Sequence, residues 1–188
     1  MFGRHEGRRS QFVTRLKTEF GVEALATRSV AEAVEGAPIV TVVTRATEPI
    51  LSAAMMARGA HINAVGAIVP RGAELAADVL ARSTRVVVDS VPQAQKLSRE
   101  LMDYFGPGPE KWEQVESLAS LVAARRGRAE SDDLTLFKSL GMGISDLSLG
   151  IELYQRALSS GVGRSFAHPQ KATPRLGAPQ QANPLTGA

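Results

Sequence analysis

The sequence predicts an α/β protein built on a parallel sheet, and three short apolar runs carry this prediction. Residues 38–43, 61–65 and 85–89 are rich in valine, isoleucine and alanine, and polar stretches separate them. Continuous apolar runs of this length are typical of strands that are covered on both faces. Because stretches with helical spacing lie between the runs, we expect parallel strands with flanking helices and right-handed crossovers.

Local patterns predict the other regular elements. Helices are expected at residues 6–20, 29–35, 51–57 and 72–82, and further strands at residues 22–26 and 134–138. Ser29 can cap its helix, because Glu32 stands three residues further on and completes a capping box. Gly59 suits the left-handed residue that ends a helix.

The C-terminal region combines one periodic stripe with a polar tail. Apolar residues recur every three or four positions, as on one face of a long helix, at Leu140, Ile144, Leu147, Ile151, Tyr154 and Leu158. Such a stripe packs either on the sheet of its own chain or on another domain or subunit. Residues 160–188 are rich in glycine, proline, glutamine and alanine, which predicts a disordered tail.

Composition narrows the classes of function. The net charge is only +3, and Arg125, Arg126 and Arg128 form the nearest approach to a basic cluster, so no nucleic-acid partner is expected. The chain has no cysteine, and its histidines and carboxylates show no metal-ligand spacing, so no metal site is expected. No apolar run approaches the roughly 18 residues of a membrane span, and no signal peptide is recognisable. We therefore expect a cytoplasmic protein without membrane contact.

Ligands of open parallel sheets bind beyond the carboxyl ends of the strands. Three segments are expected there, namely residues 3–5, 44–49 and 66–71, the first of them after a strand that would begin before Met1. Their small and hydroxyl-bearing residues make a candidate nucleotide shelf. The sequence contains neither a Gly-x-Gly-x-x-Gly nor a Walker pattern.

Few residues suggest catalysis by themselves. His61 opens a predicted strand and is interpreted as structural. His5 follows an arginine at a strand end, and two interpretations stay open for it: contact with an anionic ligand, or no ligand contact. Ser131, Asp132 and Asp133 form either a paired-carboxylate site or a turn before the next strand.

Four motifs in order resemble the ornithine cyclodeaminase/mu-crystallin family. They are His-Ile-Asn-Ala-Val-Gly-Ala at residues 61–67 with Thr-Glu-Pro before it at 47–49, Pro-x-x-x-Glu-Leu at 70–75, Val-Val-Val-Asp-Ser at 86–90, and Ser-Asp-Asp-x-Thr-x-Phe-Lys-Ser-x-Gly at 131–141. The resemblance extends over roughly residues 1–159.

The resemblance implies an incomplete Rossmann-type sheet that binds NADP or NAD. Residues 1–139 would form a partial dinucleotide-binding domain, and residues 140–159 a helix that packs on a separate substrate and dimerisation domain. The implied chemistry is hydride transfer between a nicotinamide and an amino or imino acid. The implied partners are that small-molecule substrate and a second copy of the protein.

Cofactor-binding residues are carried over from the family by position, and they are Arg4, His5, Thr44, Val65, Gly66, Lys138 and Ser139. Arg4 would read the adenosine ribose, and a guanidinium there suits a 2′-phosphate, which favours NADP. Thr44 would face the middle of the cofactor. The nicotinamide would lie against Val65 and Gly66, where a glycine permits close approach, with Lys138 and Ser139 at its border.

Two departures from the family pattern bear on activity. Cyclodeaminases carry an acid/base aspartate two residues after the Val-Gly, and this chain has Ile68 at that position. No catalytic residue is therefore assigned. An imine or ketimine reductase, or an amino-acid dehydrogenase, is expected in place of a cyclodeaminase. The glycine-rich loop and the substrate domain are expected upstream of Met1. A missing central strand would expose two hydrogen-bonding edges and apolar surface on both faces of the sheet. The chain alone should therefore be marginally stable and should bind nicotinamide dinucleotide weakly or not at all. The alternatives are a non-catalytic nucleotide-binding or structural protein, or an inactive gene fragment.

Overall fold

The computed structural model describes residues 1–167, and their architecture is a parallel sheet with flanking helices. The strands are β1 (Ile39–Val42), β2 (His61–Ala64), β3 (Ser83–Val88), β4 (Val115–Ser117) and β5 (Leu134–Lys138). They lie in the order β1-β2-β5-β3-β4, and every neighbouring pair is parallel. The predicted α/β class is confirmed.

Helices connect and follow the strands. They are α1 (Glu6–Phe20), α2 (Val30–Val34), α3 (Ala77–Arg82), α4 (Val91–Leu97), α5 (Arg99–Phe105), α6 (Pro109–Trp112), α7 (Leu118–Ala123) and α8 (Gly143–Ser159). The predicted cap of α2 is present, because the Ser29 hydroxyl accepts the Glu32 N–H at 3.1 Å. The reciprocal bond differs slightly, since the Glu32 carboxylate accepts the N–H of Arg28 at 2.8 Å.

One face of the sheet carries the core. Alternate strand residues point into it, among them Val40, Val42, Ile62, Ala64, Val86, Val88, Leu134 and Leu136. The same cluster includes Val79 of α3, Ala94 of α4 and Leu101 of α5. These helices therefore cover that face of the sheet.

The other face carries a polar row across β2 and β5. The two ring nitrogens of His61 lie 2.8 Å from Thr135 Oγ1 and 3.2 Å from Asn63 Oδ1. Because both nitrogens have neighbours within the sheet, the structural interpretation of this histidine holds.

The predicted strand at residues 22–26 is wrong. This segment has no ladder. The Val22 N–H donates to the Leu16 carbonyl of α1 at 3.1 Å, the Met1 amino group donates to the Leu25 carbonyl at 2.6 Å, and just beyond the segment the Thr27 N–H donates to the Met1 carbonyl at 3.0 Å. A strand needs a neighbour along its whole length, and these separate hydrogen bonds do not provide one.

Two helix predictions are also corrected. Residues 51–57 contain only a 3-10 turn, Ala53–Met55, and the helix expected from residue 72 begins at Ala77. Leu51 and Leu75 form a parallel bridge, and this pairing keeps residues 50–51 and 74–76 extended. Gly59 does adopt the expected left-handed conformation, with φ 79.

The outer side of β1 is open. β1 pairs with β2 alone within the described residues, and Ile39 and Val43 are 64% and 69% exposed. An apolar cavity of about 650 Å³ lies beside this strand, with Met1 and Phe2 in its lining. β1 is therefore an open edge of the described sheet.

The chain divides into two compact units, Met1–Asp146 and Leu147–Ala188, and α8 runs across this boundary. α8 has no buried residue, and its apolar side chains from Ile151 to Tyr154 are 50–65% exposed. Leu140 was expected on the same stripe, but it lies before the helix and in the core, because Asp89 accepts its N–H at 2.7 Å.

The structure describes only the first residues of the predicted tail, up to residue 167. Residues 162–167 have no helix or strand, and the rest of the predicted disordered tail, residues 168–188, lies outside the described residues. Among residues 1–167, no helix is both long and apolar enough to cross a bilayer.

Candidate functional site

The loops that follow β1 and β2 meet at the carboxyl edge of the sheet. Together, residues 44–49 and 66–72 form what we call the strand-end shelf. A hollow of about 500 Å³ lies in it, lined by Arg45, Ala46, Thr47, Gly66, Ala67, Ile68, Val69, Arg71 and Gly72. Two of the three loops predicted from the sequence are therefore neighbours, while residues 3–5 do not line this hollow.

Glu74 holds the two loops together. One carboxylate oxygen accepts the N–H of Thr44 at 2.6 Å and its hydroxyl at 2.8 Å. The other oxygen accepts the N–H groups of Gly66 and Ala67, both at 3.0 Å. Glu74 is 0% exposed, so these four hydrogen bonds take the place of water around its carboxylate.

Gly66 is required by this packing. An added Cβ would lie 2.2 Å from Thr44 N, 2.3 Å from Thr44 O and 2.3 Å from a Glu74 carboxylate oxygen. A glycine is therefore needed here because the loop after β1 and the Glu74 carboxylate both lie close to the Gly66 backbone.

A buried ion pair supports Glu74 from the interior. The Glu100 carboxylate accepts the N–H groups of Glu74 and Leu75, the latter at 2.8 Å, and its second oxygen lies 3.0 Å from Lys138 Nζ. The side chains of Glu100 and Lys138 are 2% and 0% exposed. Lys138, expected beside the cofactor, directs its ammonium to this carboxylate.

Asp89, at the end of β3, orders the loop that follows β5. One of its oxygens accepts the Ser139 hydroxyl at 3.0 Å and the N–H groups of Leu140 and Gly141, both at 2.7 Å. Ser139 is thus fixed next to β2, since its own N–H donates to the Ala64 carbonyl at 3.0 Å.

The predicted cofactor-binding residues fall into two groups. Thr44 and Gly66 lie at the shelf, and Val65 lies between β2 and Gly66. Lys138 and Ser139 lie at the adjoining end of β5. Arg4 and His5 are exposed residues before α1, and they remain predictions.

Sequence reasoning missed the residues that hold the site together. The signal that could have indicated Glu74 is its place in the Pro-x-x-x-Glu-Leu motif at residues 70–75. Arg45 and Arg71, both exposed, line the hollow and give it positive charge.

Asp132 and Asp133 have structural roles. The Asp132 carboxylate accepts the Ala129 N–H at 2.8 Å, and Asp133 forms an ion pair with Arg82 at 2.8 Å while accepting the Gly59 N–H at 3.3 Å. The two carboxylates serve turns and a helix end, so the turn interpretation of this segment is correct.

The Asp133 contact predicts an acid-sensitive term in stability. The hydrogen bond from Arg82 lowers the pKa of Asp133 from 3.8 to about 2. A depressed pKa stabilises the folded state above the unfolded value, and this contribution disappears as the pH falls from 3.8 towards about 2. Chemical denaturation at a series of pH values should therefore show a smaller loss over this window in Asp133→Asn than in the original chain; equal slopes in both would contradict the assignment.

An open parallel sheet with helical crossovers and a hollow at its strand ends defines the class of α/β domains that bind ligands at that edge. The ornithine cyclodeaminase/mu-crystallin family model matches residues 1–161, and the chain belongs to this family. It is 31% identical to Δ1-pyrroline-2-carboxylate reductase of Bacillus cereus, over 88% of this chain and 51% of the relative. It is 38% identical to ornithine cyclodeaminase of Brucella suis, over 68% of this chain and 35% of the relative.

A solved structure shares the fold. The Thermococcus litoralis Δ1-pyrroline-2-carboxylate reductase in complex with NADH and L-proline superimposes with a TM-score of 0.77 at 29% identity, over 88% of this chain and 51% of that one. This chain therefore spans about half the length of the reductases that it matches.

Proposed function

We propose that the chain forms part of the dinucleotide-binding half of an NAD(P)-dependent enzyme that acts on amino or imino acids. The observation that carries this proposal is the strand-end shelf, which lies at the ligand-binding edge of the sheet in a chain of this family. Arg45 and Arg71 at the hollow suit an anionic ligand such as a dinucleotide.

Reduction of an imine or oxidation of an amine fits the hollow better than cyclodeamination does. When bound, a nicotinamide supplies or accepts the hydride. Ile68 lines the hollow and is 46% exposed, at the position where the family resemblance implies an acid/base aspartate. A hydrocarbon side chain transfers no proton, so the proton on the substrate nitrogen must come from elsewhere.

Ile68 also supports a second candidate, a nucleotide-binding protein without catalysis. Such a protein needs the shelf but no proton-transfer group.

A fusion protein separates these proposals. In it, this chain follows the N-terminal half of the Bacillus cereus reductase, and NADPH oxidation is followed with Δ1-pyrroline-2-carboxylate or with ornithine as substrate. We expect consumption of the cyclic imine and none of ornithine. Binding of NADPH without consumption would favour the second candidate, and neither binding nor turnover would reject both. The chain without the added N-terminal half should bind NADPH weakly or not at all. A micromolar dissociation constant for NADPH would contradict this expectation.

Arg4 is proposed to favour NADP over NAD through the 2′-phosphate. In the fusion protein, Arg4→Ala should weaken NADPH binding about tenfold, the value of one charge-assisted hydrogen bond, and leave NADH binding almost unchanged. Arg8→Ala removes another exposed guanidinium, in α1, and serves as the control. Equal losses for both dinucleotides, or an equal loss in the control, would contradict this role.

We propose further that the whole protein is a cytoplasmic homodimer whose substrate domain covers α8. The exposed apolar side chains of α8 support this proposal, because they would otherwise remain in water.

A further inference from the structure

Three backbone amides at the strand-end shelf converge on a carboxylate of the protein itself. The N–H groups of Thr44, Gly66 and Ala67 donate to Glu74, and so does the Thr44 hydroxyl. Successive amides that point into one concavity commonly bind an anionic ligand. In this chain Glu74 occupies that concavity, so these amides are not available to a ligand.

Glu74 is itself fixed by contacts on its interior side. Its N–H donates to Glu100, which is ion-paired with Lys138 of β5, and its carbonyl accepts the N–H groups of Ile50 and Leu51 at 3.0 and 2.9 Å. The Glu74 backbone is therefore held from two sides. Because its carboxylate accepts hydrogen bonds from both shelf loops, Glu74 holds these loops in place relative to the core.

We infer that Glu74 is a positioning residue, whose carboxylate sets the arrangement of the two shelf loops and thereby the affinity for dinucleotide. The identity of the ligand rests on the proposed function, whereas the action on the loops does not. Contacts with the anionic groups of the ligand then fall to exposed side chains, of which Arg45 and Arg71 line the hollow.

The action on the loops is tested by amide hydrogen exchange on the full chain. Glu74→Gln keeps the length of the side chain but presents an NH2 group to one pair of donors. We expect exchange at Thr44, Gly66 or Ala67 to become about 10- to 100-fold faster, the range for losing hydrogen bonds to a charged group, with little change in β3 and β5. Asp78→Asn is the matched control, because it makes the same charge change on a nearby carboxylate that accepts the Ala53 N–H instead.

A second variant changes a donor and keeps the carboxylate. Thr44→Val removes the hydroxyl, which donates to Glu74 and accepts the Ala46 N–H, and it leaves the Glu74 carboxylate in place. It should therefore accelerate exchange at Gly66 and Ala67 much less than Glu74→Gln does. Three results would overturn the inference: an effect of Thr44→Val as large as that of Glu74→Gln, unchanged exchange in Glu74→Gln, or loss of its cooperative melt while Asp78→Asn keeps its own. The last result would make Glu74 a determinant of the whole fold.

Dinucleotide affinity is the readout that a purely structural residue would not change. In the fusion protein, well below the melting midpoints, Glu74→Gln should weaken NADPH binding about tenfold, and Asp78→Asn should not change it. Unaltered affinity in Glu74→Gln despite loosened loops would overturn the positioning role. If the unmutated fusion binds no dinucleotide, the proposed function fails, and the exchange result alone decides whether Glu74 orders the loops.

Discussion

Replacing Gly66 by alanine is expected to lower the free energy of unfolding of the Met1–Asp146 unit by about 3 kcal/mol or more. The new methyl group would meet the backbone N and O of Thr44 and a Glu74 oxygen, all within 2.3 Å. Backbone atoms cannot rotate out of the way as a side chain can, so the β1 loop would have to move and give up its bonds to Glu74. Thermal and urea-induced unfolding, followed by circular dichroism, measures the loss.

Gly7 provides the matched control for this substitution. It lies in α1, and an added Cβ would meet nothing within 4 Å. Gly7→Ala should therefore leave stability unchanged or raise it by up to about 1 kcal/mol, the gain in helix propensity. A Gly66→Ala chain that melts at the original midpoint would show that the loop can move aside at little cost.

The buried Glu100–Lys138 pair gives the second large effect. Glu100→Ala should destabilise the fold by about 3–5 kcal/mol, since it leaves a buried ammonium and two buried N–H groups without their acceptor. Lys138→Met should cost less, because the Glu100 carboxylate keeps the N–H groups of Glu74 and Leu75. Urea titrations of the two single variants measure this order.

An exposed pair with the same chemistry is the control for this prediction. Glu19 and Arg15 form an ion pair on α1 with side chains 46% and 67% exposed. Glu19→Ala should cost no more than about 0.5 kcal/mol, as is usual for such pairs. A Lys138→Met chain less stable than Glu100→Ala would show that the ammonium, and not the carboxylate, is the better supported partner.

Strands could be predicted from the sequence where an apolar run also lies in the core of the folded protein. The apolar runs at β1, β2 and β3 are strands because their alternate residues enter the core, and Leu134–Lys138 behaves likewise. The segment at residues 22–26 also contains apolar residues, but no strand among residues 1–167 pairs with it. A local pattern does not show which segments pair. The failure at residues 51–57 has the same origin, since the Leu51–Leu75 bridge joins segments far apart in the chain.

The candidate site was predictable in place but not in construction. Strand ends and loop composition indicate the residues near Thr44 and Gly66, and both lie at the shelf. The glycine was singled out for approach of a ligand, whereas the observed contacts are internal. Glu74 is a charged residue inside the protein, and a sequence alone does not show which donors will surround it.

The position of β5 has a consequence for how the chain folds during synthesis. Among residues 1–167, β5 is the last strand in sequence, yet it joins the β1–β2 pair to the β3–β4 pair, with β2 on one side and β3 on the other. Until residue 138 has left the ribosome, each pair keeps an unsatisfied inner edge that other nascent chains can occupy. Any premature stop before Leu134 would therefore yield two unconnected half-sheets, and we expect such products to be degraded or aggregated.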